Sequence, residues 1–400
     1  MLDALLREGA ARHQRGDLSG AADCYRRVLA QRPKDGNALN LLGVAARQQG
    51  DLANALRLSA RAVALNPQSP VFLANRGAAL AEAGSLAEAA AVLRQVLALR
   101  PDDAVSLRNL GQLLSSQGKA AEAIAPLRRA VELSPGQPEP LLALAHAARE
   151  SGDREAAITA GRAALAAAEA RGAGALADQA RFLLAAQGED TAPDRAPADY
   201  VRALFDQYAP RFDQDLTGKL GYRTPALLAE MIEAAGVAPE KSLQVLDLGC
   251  GTGLSGLALA PFAARMEGVD LSSRMLAEAA RRGCYAALHE ADLLAFLPAH
   301  EGRFGLVAAA DVLNYLGDLA PALAGIRKAL TPGGIAAFSI ETMEGEEAYR
   351  LGEGMRFRHR PAHVLALAET AGLRLLSRRA VTLRQERGEP VLGELMLFLS

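Results

Sequence analysis

The chain has 400 residues, half of them apolar, 4% aromatic and none tryptophan, which is material for two or three domains of roughly 100–200 residues each. Net charge is −2, from 22 basic and 18 acidic side chains in residues 1–187 and 22 and 28 in residues 188–400, so no part is basic enough to demand a nucleic acid. Cys24, Cys250 and Cys284 lack C-x-x-C spacing, which argues against a disulfide framework and a zinc or other metal site; an acidic N-terminus and no apolar run of ~20 residues predict a soluble cytoplasmic protein with neither leader nor membrane span.

The first half repeats. Residues 2–35, 36–69, 70–103, 104–137 and 138–171 align without gaps at a period of 34, with glycine at 16, 50, 84, 118 and 152 and alanine at 21, 55, 89, 123 and 157. Proline closes four units, at 33, 67, 101 and 135, and a second glycine series at 9, 43, 77 and 111 gives way to Ala145. Each unit therefore predicts a helix, a glycine-bearing turn, a second helix and a proline stop, with small residues where the paired helices approach. This period and pattern resemble the tetratricopeptide repeat, which implies an all-α solenoid whose first helices face a concave groove. Asn75 and Asn109 share a position in consecutive units, and Asn40 and Arg108 lie one place earlier in theirs. An Asn side chain offers a donor and an acceptor, so such a row can pair with the backbone of an extended peptide, against the plain alternative of a solvated helix face. A protein or peptide partner in the groove is expected from these four residues.

The fifth unit carries Glu169 where the others close on proline, and Ala175 to Gln187 continues as an amphipathic helix that can cap the solenoid. The repeat domain is expected over 1–187. Residues 188–199, G-E-D-T-A-P-D-R-A-P-A-D, are polar with two prolines and no periodicity, which predicts a linker.

Residues 200–400 predict a single α/β domain. The stretch Leu243 to Gly256, L-Q-V-L-D-L-G-C-G-T-G-L-S-G, reads as a buried parallel strand, a glycine turn and a helix start. Glycines at 249, 251 and 253 bring bare N–H groups and a helix N-terminus up to a ligand. Gly251, Gly253 and Gly256 also spell the dinucleotide fingerprint, but Asp247 at the strand's end would repel a pyrophosphate and hold an ammonium.

D-L-G-C-G-T-G resembles motif I of the class I S-adenosylmethionine-dependent methyltransferases, and with the repeats the chain resembles a bacterial group of predicted tetratricopeptide-repeat methyltransferases. The resemblance covers about 200–400 and implies a Rossmann-like, seven-stranded mixed sheet with its last strand antiparallel. It implies S-adenosylmethionine as cofactor, with Asp247, Gly249, Cys250, Gly251 and Gly253 around its methionine part. Strand two, Arg265 to Leu271, ends at Asp270, 23 residues after Asp247 and close to the ~20 expected of an acid on a ribose diol. Leu271 follows it, Ser272 and Ser273 supply a helix cap, and Met275 is expected to pack on the adenine. Strand three, Ala286 to Ala291, ends at Asp292 and Leu293, for which the resemblance implies the adenine amine. Strand four, Phe304 to Ala310, ends at Asp311 with L-N-Y beyond. Four acids at the carboxyl ends of four strands mark the ligand edge of an open α/β sheet.

F-D-Q-Y-A-P-R-F-D at 205–213 resembles the lead-in segment of small-substrate methyltransferases, which implies Tyr208 facing cofactor or substrate and assigns Phe205 and Phe212 to the core. T-P-G-G at 331–334 is expected as a turn into strand five, Ile335 to Ile340. M-R-F-R-H-R at 355–360 falls in the expected acceptor region: His359 is the candidate base, with Glu341 behind it, Arg356, Arg358 and Arg360 would attract a carboxylate, and Tyr315 joins the substrate residues. D-V-L-N-Y in place of N-P-P-Y disfavours methylation of an adenine amine. Two classes of function follow: an enzyme that methylates an oxygen or nitrogen nucleophile on a protein-borne or small acceptor, its repeats recruiting the acceptor or pairing the chain as a homodimer, or a repeat scaffold whose cofactor domain is an inactive sensor.

Overall fold

In the computed structural model, which describes residues 1–219, 221–386 and 388–400, the chain divides after Ala180 into two units. The first is built of five helical hairpins: Leu2–Gln14 with Leu18–Gln31, Gly36–Gln48 with Leu52–Leu65, Pro70–Glu82 with Leu86–Leu99, Ala104–Ser116 with Ala120–Leu133, and Pro138–Ser151 with Arg154–Ala170. The turn of each hairpin holds its repeat glycine at φ between +75° and +86°, a conformation that costs glycine nothing and other residues strain. Asp17, Asp51 and Asp153 then cap the second helices through their carboxylates. The repeat alanines 21, 55, 89, 123 and 157 are fully buried between helices. A Cβ on Gly111 would come within 2.4 Å of Leu127, so the second glycine series marks close helix approach.

The helix after the fifth hairpin runs Gly174–Ala186. Leu176 and Ala180 pack with Leu142 and Ala164 in the first unit, while Phe182, beyond the division, is buried against Tyr200 and Phe357 of the second. The division thus falls inside this helix, seven residues before the expected boundary at Gln187, and the helix's end belongs to the second unit.

That unit carries a seven-stranded sheet in the order β3-β2-β1-β4-β5-β9-β8, where β1 is Leu243–Leu248, β2 Ala263–Asp270, β3 Ala287–Glu290, β4 Phe304–Ala309, β5 Leu330–Glu341, β8 Arg374–Glu386 and β9 Glu389–Leu399. The first five strands are parallel, and the last, β9, lies antiparallel between β5 and β8. Alternate residues serve opposite faces. Leu246, Val307, Phe338 and Phe398 meet the helices Ala320–Ala329 and Pro361–Thr370, while Val245, Leu306, Ala337 and Leu397 meet Thr224–Ala234 and Leu254–Leu259.

One expectation changes here. T-P-G-G is no separate turn: it lies inside β5 as an irregularity, with Gly333 at φ +75° and a skip in pairing between Phe304↔Leu330 and Leu306↔Ile335. In M-R-F-R-H-R, 357–359 form β7 (Phe357–His359) of a hairpin with β6 (Tyr349–Leu351), which buries Phe357 and His359 and turns Arg358 outward. No helix among the described residues is long and apolar enough to cross a membrane, and no group of three potential metal ligands occurs among them.

Candidate cofactor and acceptor site

A cavity of about 380 Å³ opens where β1, β2 and β4 end, the edge at which open α/β sheets take ligands. One set of wall residues comes from the strand tips: Gly249 and Gly251 after β1, Asp270 and Leu271 at β2, Asp292 and Leu293 after β3. Gly249 and Gly251 sit at φ +60° and +52°. A Cβ on Gly249 would strike Val312 at 2.3 Å, whereas one on Gly251 would meet only the Phe212 ring at 3.8 Å, so the backbone at 251 stands open to a ligand. The Asp270 carboxylate accepts from Gly251 N–H at 2.9 Å and Ser272 N–H at 2.8 Å, which fixes it without using all its lone pairs. Burial raises its pKa against these backbone donors, which lower it. Asp292 caps Leu294 N–H at 2.8 Å and pairs with Arg195. Fixed acids flanked by the side chains of Leu271 and Leu293 suit the polar edges and apolar faces of an adenosine, so the residues present fit the nucleoside part of S-adenosylmethionine.

The remaining wall comes from Val201, Phe205, Tyr208 and Phe212 of the lead-in, from Tyr222, from Asp311, Val312 and 314–316 after β4, and from Arg356, Arg384 and Glu386. Arg202 donates to the Leu271 carbonyl at 3.3 Å and Ser272 Oγ to Asp206 at 2.6 Å, so the helix Ala198–Tyr208 is fastened to the tip of β2. Phe205 and Phe212, expected in the core, line the cavity instead, with Phe205 edge-on to Tyr315 at 5.5 Å. Tyr208 lines it as expected; burial pushes its pKa up to about 12, so it presents a neutral phenol.

Asp311 adopts φ +56°, the left-handed region that short polar residues tolerate and that recurs at functional sites. Its carboxylate accepts from Ser339 Oγ at 2.8 Å and Thr224 Oγ1 at 3.1 Å, and Tyr222 hydrogen-bonds to it as well. Burial raises its pKa, against the lowering effect of Arg384 and the hydroxyls.

Several expected site residues stand elsewhere. Asp247 is fully buried behind the turn: its Oδ2 accepts from Ser255 at 2.6 Å and Tyr285 at 2.7 Å, and burial raises its pKa to about 6. It is not on the cavity wall, and its Oδ1 has no hydrogen-bond partner among the described residues. Cys250, Gly253 and Met275 are likewise off the wall. Cys250 and Met275 are buried, and a Cβ on Gly253 would meet Tyr285 at 3.1 Å, so this glycine serves packing.

His359 is also off the cavity wall. It is buried beneath the β6–β7 hairpin, with Nε2 at 2.9 Å from the Leu316 carbonyl and 3.2 Å from that of Gly317, and burial lowers its pKa to about 4. The imidazole's buried Nδ1 has no hydrogen-bond partner among the described residues. Arg358, on the outward face of β7, is off the wall too.

Arg195, Tyr222, Asn314, Arg384 and Glu386 line the cavity without having been singled out. Arg195 lies in the stretch expected as a linker, yet that stretch belongs to the second unit: Arg195 bridges to Leu316, Ala196 N–H donates to Tyr315 O at 2.8 Å, and Gly317 N–H to Asp194 O at 2.7 Å. Its proline-broken, aperiodic composition hid this, because bridge pairing needs no periodicity.

In the first unit, Asn40 is only 4% exposed and accepts from Asn75 Nδ2 at 2.9 Å, while Arg108 donates to Asn109 at 3.5 Å. The row expected to read a peptide bonds largely to itself, and Asn40 ties neighbouring repeats together from within the core.

A family model described as a methyltransferase domain matches residues 245–334, and one described as a tetratricopeptide repeat matches 6–70 and 75–138. Human methyltransferase-like protein 27 is 37% identical over 113 residues, 28% of this chain and 46% of that protein. The ubiquinone biosynthesis O-methyltransferase of Thiobacillus denitrificans is 34% identical over 107 residues, 26% of this chain and 46% of that protein. The trans-aconitate 2-methyltransferase of Pseudomonas aeruginosa is 38% identical over 111 residues, 27% and 39% of the two chains. The chain thus spans less than half the length of each of these relatives.

Proposed function

We propose that this chain, in which tetratricopeptide repeats precede a methyltransferase domain, uses S-adenosylmethionine to methylate an oxygen or nitrogen nucleophile, with the repeats recruiting a protein partner or a protein-borne acceptor. The observation that carries the reading is one cavity that gathers Gly249, Gly251, Asp270, Leu271, Asp292 and Leu293 beside Tyr208, Asp311 and Tyr315. When bound, the cofactor supplies a sulfonium methyl group. The chain's residues then have two tasks, to align the acceptor and to take up its proton.

Asp270 and Asp292 would hold the nucleoside from the strand tips, and the open backbone at Gly251 would admit the rest of the cofactor. Asp311, with its raised pKa and its place on the wall, is the candidate proton acceptor, whereas His359 does not line the cavity. Tyr208 and Tyr315 suit hydrogen-bonding and stacking contacts with the acceptor. Likeness to the ubiquinone biosynthesis O-methyltransferase supports an oxygen acceptor.

Calorimetry of the full chain with S-adenosylhomocysteine, followed by transfer of labelled methyl to proteins retained by the repeats, tests the proposal. Absence of cofactor binding would sink it. Binding with no transfer to protein or small acceptors would leave the scaffold-and-sensor alternative.

A further inference from the structure

Arg356 and Arg384 reach the cavity from different segments, Arg356 from the residue before β7 and Arg384 from within β8. Behind them lies Glu341, at the end of β5 and 3% exposed, which accepts from Arg356 Nε at 2.9 Å, from Asn314 Nδ2 at 3.1 Å and from Arg384 Nη2. Burial would raise the pKa of Glu341, but Arg384 and Arg356 hold it below the ordinary range. Arg358, half-exposed, stands 4.0 Å from its other oxygen. Two guanidiniums around one buried carboxylate leave a surplus positive charge facing the cavity.

Glu386 meets that surplus. Arg356 Nη2 donates to it and Arg384 Nη2 stands 3.7 Å away, yet its side chain is 41% exposed. The two glutamates are not equivalent. Glu341 is buried and held by three donors, whereas Glu386 can turn to water at little desolvation cost. Asp311 shares the field of Arg384 but is occupied by the hydroxyls of Ser339, Thr224 and Tyr222. The wall of the same cavity is largely aromatic and aliphatic, with Phe205, Phe212, Leu216 and Tyr315. Guanidinium forks match carboxylate geometry and are themselves weakly hydrated, which suits an anion carried on an apolar body.

We propose that Arg356 and Arg384 form the subsite for a carboxylate on an otherwise apolar acceptor, and that Glu386 fills this subsite until the acceptor displaces it. The proposal rests on the methyl-transfer reading of the cavity and assigns its acceptor class. Glu341 is then a positioning residue that aims both guanidiniums.

The test is calorimetry of the full chain, with and without S-adenosylhomocysteine, against phenylacetate and its uncharged counterpart phenylacetamide. Glu386→Gln removes the internal competitor and is expected to bind phenylacetate about tenfold more tightly than the natural chain. Arg384→Met is expected to lose phenylacetate, and phenylacetamide is expected to bind all three chains equally weakly. An unchanged phenylacetate affinity in Glu386→Gln, or a parallel gain for phenylacetamide, overturns the proposal. Because Glu386 is at the half-exposed rim, this arm decides the matter whether or not Arg384→Met folds. Loss of S-adenosylhomocysteine binding by the natural chain defeats the methyl-transfer reading, whereas intact binding without carboxylate preference defeats the subsite alone.

Discussion

The carboxylate of Asp270, at the end of β2, accepts a hydrogen bond from the backbone N–H of Gly251, in the turn after β1, at 2.9 Å. The acid that would meet a ribose and the glycine backbone that would meet the rest of the cofactor are therefore one rigid piece, and neither can shift alone. Asp270→Ala removes an acceptor for the ligand and frees the turn. Affinity for S-adenosylhomocysteine is expected to fall roughly ten- to a hundredfold, from the ~1.5–3 kcal/mol of a hydrogen bond to a charged group. Calorimetry decides it, and unchanged affinity in a folded variant would remove Asp270 from the site.

His359 offers the contrasting case. His359→Ala leaves the carbonyls of Leu316 and Gly317 without their buried donor, at about 1–3 kcal/mol of stability. Cofactor affinity should stay within about twofold, because the imidazole is off the cavity wall. In the natural chain the lowered pKa, about 4, means that stability from this group is present near neutrality and lost as pH falls from its ordinary 6.5 through 4. Chemical denaturation across that range should show a larger acid-side loss in the natural chain than in His359→Ala, the buried His146 contributing equally to both.

Asp247 has the opposite sign. Its folded pKa of about 6 lies above the ordinary 3.8, so its stabilising contribution is full below pH ~4 and disappears as pH rises through 6. Asp247→Asn keeps an acceptor for Ser255 and Tyr285 but has no charge to desolvate. Between pH 4 and pH 7.5 the stability difference should move in favour of the variant by up to about 3 kcal/mol. A difference that stays flat with pH would mean that Asp247 ionises as an exposed carboxyl does.

Between the repeats, Asn40→Ala and Asn75→Ala should each destabilise the chain, and the pair should show a coupling of about 0.5–1.5 kcal/mol in a double-mutant cycle, as expected for a direct hydrogen bond. Strict additivity would show that the bond contributes nothing.

Where the chain is cut decides whether the second unit survives without the repeats. A chain beginning at Pro197 loses Phe182 from its core, the Arg195–Asp292 pair and the bridge to Leu316. One beginning at Arg181 keeps all three and should melt several degrees higher, with tighter cofactor binding. Equal melting temperatures would return 188–196 to the status of a linker.

The sequence alone was sufficient for whatever is local or periodic. A period of 34 with glycine at 16, 50, 84, 118 and 152 is visible because each hairpin solves the same backbone problem, a turn at positive φ. The mixed sheet was legible because a strand, a glycine turn and an acid at each strand tip are contiguous signals. Which side a residue faces, and what it meets there, was not local. Asp247 and Asp270 both end strands, yet only the second reaches the cavity, because the first is enclosed by Ser255 and Tyr285 from other elements. His359 looked like a base, and the β6–β7 hairpin buried it. Arg195, Arg384 and Glu386 reach one cavity from opposite ends of the domain, and no short-range pattern marks them. Burial and partner choice depend on the packing of segments nearly two hundred residues apart, and only the folded chain sets the charge, exposure and pairing that decide what each of those side chains can do.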